Sequence, residues 1–94
     1  MFVITLDSPP QHLPGTLARW LTEIAPNVFV GDYGRGVRDD IWLLVQDEIG
    51  TGSARIAWSW PSEAGFRLAS AGAPPARPEV NNAGLLLTAL SGQP

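Results

Sequence analysis

The feature that most restricts this chain is a strict two-residue alternation near its middle. Along residues 53–60, Ala54, Ile56, Trp58 and Trp60 point one way; Ser53, Arg55, Ala57 and Ser59 point the other. A period of two is a strand and cannot be a helix face. Residues 61–65 have turn chemistry and hairpin-loop length. Phe66, Arg67, Leu68, Ala69 and Ser70 then alternate back as a paired strand. A lone ribbon of this kind is marginal in water, so it has to belong to a larger sheet or pack against helices.

The rest of the chain supplies both. Residues 2–6 form a β-rich apolar run, expected as a strand buried on both faces and stopped by Pro9 and Pro10. Leu13, Leu17, Trp20, Leu21 and Ile24 have helical spacing. That predicts a first helix, opened by Thr16 or the Pro14-Gly15 pair and closed by Pro26, with Arg19, Thr22 and Glu23 on its other face. Val28, Phe29 and Val30 read as a second strand. A second helix is predicted over residues 37–49, with Val37, Ile41, Leu44 and Val45 as its buried stripe. Asp39 and Asp40 fall in its first turn and Gly50 at its C-terminal cap. Trp42 and Leu43 sit off the stripe, which leaves one of them for a partner. Residues 72–78 hold three prolines and read as an extended linker. The uncharged run at residues 85–90 is expected to pair as an edge strand, on its own subunit or a partner's.

The element order is therefore β-α-β-α-β-β plus an extension, an α+β sandwich with helices on one face. A ferredoxin-like domain needs β-α-β-β-α-β. Only one strand is visible between the helices, so either residues 27–35 fold into two short strands or the topology is a variant. The length suits one domain: a core at residues 1–72, and a Pro-rich arm with a strand extension at residues 73–94. A core this thin makes oligomerisation a natural way to enlarge it.

Composition removes several functions. The absence of cysteine excludes disulfides and Cys-based zinc sites. A single histidine leaves only a carboxylate-dominated metal site. No apolar run is long enough to span a bilayer, and the N-terminus has no basic region before its apolar run, so a cytoplasmic protein is expected. All six basic residues are arginine, and the net charge of −3 argues against a generic nucleic-acid binder.

Few residues suggest chemistry. Asp7, ending the first strand, is either a carboxylate presented to a divalent ion or an Asx-turn residue satisfying local donors; two-fold symmetry would supply a second copy. The glycines of residues 31–36 lack phosphate-loop spacing and read as a tight strand-to-helix turn that Asp32 caps or braces. His12 has no recognisable nucleophile constellation and reads as a solvated loop histidine. The four tryptophans suit core packing better than base stacking. Arg77 in the Pro-rich arm either touches a phosphate or solubilises the arm. Glu63 lies at the tip of the hairpin loop.

An ordered set of strings gives a sharper reading. Leu17-Ala18-Arg19-Trp20-Leu21-Thr22-Glu23-Ile24 runs into Val28-Phe29-Val30-Gly31-Asp32, followed by Val37-Arg38-Asp39-Asp40-Ile41-Trp42. Ile56-Ala57-Trp58 and Glu63-Ala64-Gly65-Phe66 come next. Each block is weak alone, but the series, over about residues 1–90, resembles the second CRISPR-associated protein ("Cas-two") in its type I-E branch. The resemblance implies a ferredoxin-like subunit that forms a two-fold homodimer between two dimers of the CRISPR integrase, the first CRISPR-associated protein. That assembly holds double-stranded protospacer DNA during spacer acquisition, the recording step of an antiviral defence. The C-terminal strands dock the integrase in that branch, which fits Leu85, Leu86 and Leu87, and Glu63 matches an acidic hairpin residue that pairs with integrase arginines.

The resemblance also implies an alternative, a Mg²⁺-dependent endonuclease acting on single-stranded RNA or double-stranded DNA. Asp7 falls at the acidic position on which that activity is centred, as its catalytic and metal-ligating residue. Similar proteins carry arginines after the Pro-Pro turn and near the tail proline. Here the first region reads Gln11-His12-Leu13-Pro14 and the second retains Arg77 beside Ala76. Arg35 and Arg38, at the start of the second helix, are positioned to compensate. Fewer phosphate contacts imply weaker, less salt-dependent DNA binding by this subunit alone.

Overall fold

The computed structural model describes residues 1–73 and the backbone of residues 85–86 and 89–90. Its elements are β1 (Phe2–Asp7), α1 (Leu13–Leu17), β2 (Thr22–Ala25), β3 (Val28–Gly31), α2 (Arg35–Glu48), β4 (Ser53–Ser59) and β5 (Phe66–Gly72). They form one antiparallel sheet of order β2-β3-β1-β4-β5. The fold is α+β, and the β-α-β-β-α-β order of a ferredoxin-like sandwich is present, with β5 added beside β4. Leu85–Leu86 and Ala89–Leu90 pair with each other in parallel rather than at an edge of this sheet.

The expected hairpin forms as read. Ile56 faces Ala69, Ala57 faces Leu68 and Trp58 faces Arg67 across β4 and β5. One sheet face carries Phe2, Ile4, Leu6, Phe29, Ala54 and Ile56, all buried in one cluster with Leu13 and Leu17 of α1 and Ile41 and Val45 of α2. Each of these side chains larger than Ala54 contributes about 1.5–3 kcal/mol by leaving water. Both helices thus cover the same face, as expected. The other face is only half-buried, so β1 is not sealed on both sides within one chain: Val3 and Thr5 remain partly open.

The missing strand lies inside the stretch whose spacing predicts the first helix. The first helix stops at Leu17, and Thr22–Ala25 is a strand hydrogen-bonded to β3. Residues 27–35 therefore hold only one of the two strands, β3; the other, β2, lies ahead of them. Leu13, Leu17 and Leu21 are indeed all buried. Leu13 and Leu17 reach the core from the two ends of α1 and Leu21 from the residue ahead of a strand, so the helical period is real only for the first two. Pro26 ends a strand here rather than a helix. Asn27 follows it in the left-handed region (φ +63°) and donates its N–H to Glu23 Oε2 at 3.0 Å, closing the β2–β3 turn. Pairing with β3 outweighs the weak helical preference of Thr22 and Ile24. Consequently Trp20 and Ile24, expected inside, are 55% and 62% exposed.

Helix α2 starts at Arg35, two residues early, so Asp39 and Asp40 fall outside its first turn. Its stripe is rotated toward Ile41, Val45 and Ile49, with Trp42 packed against the cluster and Val37 exposed. Of the two off-stripe residues, Leu43 is the one left at the surface. Gly50 takes the left-handed conformation (φ +60°) expected of a helix-terminating glycine. Two of the four tryptophans, Trp42 and Trp58, are half-buried and pack against the core as expected; Trp60 is half-buried and Trp20 is exposed. Among the described residues, no helix is long and apolar enough to cross a membrane.

Candidate nucleic-acid and partner surfaces

Asp7 is the last residue of β1, exposed and paired in register with Ser53. The chain turns sharply after it through Ser8 (φ +55°), whose hydroxyl lies 3.4 Å from Asp7 Oδ1. Among the described residues, no group of three or more His, Asp or Glu side chains assembles to hold a metal ion. One carboxylate and one hydroxyl do not fit a divalent cation by themselves. A metal at Asp7 therefore needs donors from outside the described part of one chain.

His12 is not free in solvent: its Nε2 lies 2.7 Å from Glu48 Oε1, tying the start of α1 to the end of α2. Both side chains are largely exposed, so the tie is modest. The glycine-rich turn has a packing reason. A Cβ on Gly31 would meet Leu21 Cδ2 at 2.5 Å and Phe2 Cζ at 2.9 Å. Asp32 neither caps nor braces that turn: the N-cap position of α2 is Gly34, with no side-chain cap, and Asp32 is 90% exposed, 3.4 Å from the chain's amino group.

The expected DNA-contacting arginines differ in what they have left to offer. Arg35, at the first position of α2, is exposed. Arg38 is only 16% exposed and already committed: its Nη2 and Nε lie 3.0 and 3.1 Å from Asp39 Oδ1. Its guanidinium also stacks over Trp58, 4.8 Å from the ring centroid. Arg77 and Leu87 lie outside the described residues, and Leu85 and Leu86 are described only as the backbone of a short strand. Glu63 is exposed in the hairpin loop, which is closed by Trp60 N–H to Gly65 O at 3.0 Å and by Gly65 N–H to Ser62 O at 3.1 Å.

Two surfaces were not read from the sequence. The first is the sheet face opposite the helices. Alternation from the buried residues places Val3, Thr5, Val28, Val30, Arg55, Ala57 and Leu68 there, half-buried or exposed. A shallow depression of about 170 Å³ opens beside it, lined by Met1, Val3, Ala57 and Phe66 among others. The second is Arg67, whose guanidinium stacks 4.1 Å from the centroid of Trp60. The strand register that sets Arg67 opposite Trp58 brings it there.

Compared with known protein families, residues 1–87 match a family model described as CRISPR-associated protein (Cas_Cas2CT1978).

Proposed function

The chain belongs to this CRISPR-associated protein family, and from that membership we propose that it is a scaffold subunit of the spacer-acquisition complex. In this reading it works in the cytoplasm as a two-fold homodimer. It bridges dimers of the CRISPR integrase and helps hold the protospacer duplex. The observation that carries the reading is the family match over residues 1–87. Two features of the chain support its parts. The open sheet face, with Val3, Val30, Ala57 and Leu68, is apolar enough to pack against a second copy of itself, since an isologous interface needs one self-complementary patch. The hairpin holds Glu63 away from the core, where a basic partner can reach it.

The test is co-purification of the tagged chain with its integrase. Deleting residues 79–94 is expected to abolish the complex, because Leu85, Leu86 and Leu87 are assigned to the docking strand. An intact complex after that deletion overturns the assignment.

The alternative is a Mg²⁺-dependent endonuclease acting on single-stranded RNA or double-stranded DNA. It requires Asp7 carboxylates from two subunits to converge, because one carboxylate does not make a magnesium site. Its readout is cleavage by the purified chain that disappears in Asp7→Ala; cleavage that survives this change belongs to another site or another protein.

A further inference from the structure

Three of the chain's six arginines gather around one stretch of surface. Arg35 and Arg38 sit three residues apart on α2 and so share a side of the helix. Arg38 lies over Trp58, Trp58 is paired in register with Arg67, and Arg67 lies over Trp60. Cation, ring, cation and ring therefore follow one another from the first turn of α2 to the base of the hairpin.

The two guanidiniums of this ladder are not equivalent. Arg38 is largely covered and its charge is held by Asp39. Arg67 is exposed, and among the described residues no carboxylate pairs with it. A guanidinium stacked flat on an indole keeps its in-plane N–H donors free, and stacking restricts the side chain before any ligand arrives. Such a group suits a phosphate oxygen pair, which accepts the planar fork in bidentate fashion. A chain of net charge −3 cannot hold a polyanion by bulk charge, so its contacts have to be local and already oriented. The half-buried Trp60 beside Arg67 adds a ring face of the kind that nucleic-acid surfaces interleave with arginine.

We propose that the Arg38–Trp58–Arg67–Trp60 ladder is a phosphodiester-binding strip for nucleic acid, with Arg67 making the phosphate contact and Arg35 extending it along α2. This rests on the DNA-holding part of the scaffold reading and adds a site to it.

The experiment is fluorescence anisotropy of a labelled DNA duplex against the full chain over a series of salt concentrations, with integrase co-purification read in parallel. Arg67→Gln is expected to flatten the slope of log K against log salt by about 0.9, the release of one counterion, without lowering the melting temperature. Arg67→Lys retains the charge and the slope. Arg19→Gln, outside the strip, leaves the slope as it was. An unchanged slope in Arg67→Gln overturns the proposal, as does a parent chain that fails to bind duplex at low salt. So does an unchanged slope with loss of the integrase complex, which makes Arg67 a protein contact. The scaffold reading fails separately, when the parent chain forms no integrase complex.

Discussion

Gly52→Ala is the substitution whose cost can be worked most directly from the geometry. Gly52 precedes β4 and lies against the end of β1. Its N–H donates to Ile49 O at 3.1 Å and its carbonyl accepts from Ala73 N–H at 2.8 Å. A Cβ placed there would stand 2.6 Å from the carbonyl oxygen of Asp7 and closer still to that of Ser8. Comfortable heavy-atom contacts are about 3.5 Å, so the overlap is close to 1 Å and falls on backbone rather than on a movable side-chain tip. Neither side yields easily, because Leu6–Ala54 and Asp7–Ser53 are consecutive pairs of the β1–β4 ladder. Overpacking of this kind costs about 1–3 kcal/mol. At about 4–8 °C per kcal/mol for a domain of this size, a 2 kcal/mol cost lowers the melting temperature by about 8–16 °C. Thermal melting followed by circular dichroism measures it. Gly36→Ala is the control: it sits in α2 with nothing within 4 Å of the added methyl, and is expected to hold or raise the melting temperature. A Gly52→Ala protein that melts within about 2 °C of the parent refutes the steric argument, since it corresponds to a cost well under 1 kcal/mol.

Leu17→Ala removes a fully buried side chain that α1 sends into the cluster under β1, and is expected to cost about 2–5 kcal/mol in urea unfolding. A loss below 1 kcal/mol means that α1 does not seal the core. Val3→Glu places a carboxylate in the middle of the open sheet face, where a second copy would bury it unpaired. Light scattering should then report a monomer with an unaltered circular dichroism spectrum, and a persistent dimer assigns the interface to another surface.

Where a side-chain pattern is carried by one element, the sequence was sufficient. The β4–β5 hairpin was legible because its alternation and its turn chemistry agree over residues 53–70. Gly50 was legible because helix termination leaves a left-handed position that glycine fills at little cost. The α+β class followed from those strands and the α2 period, and the ordered strings pointed to the family that residues 1–87 match. Three things were decided only by the tertiary structure. Thr22–Ala25 became a strand because β3 offered its backbone a ladder, an interaction between segments that a local period does not record. Trp20 and Ile24 were exposed by that same switch, since losing the helix removed the face that would have buried them. The Arg38–Trp58–Arg67–Trp60 ladder exists because strand register and helix placement bring four separated residues into line. Stacking distances of 4–5 Å depend on where whole elements pack, and no spacing along the chain encodes them.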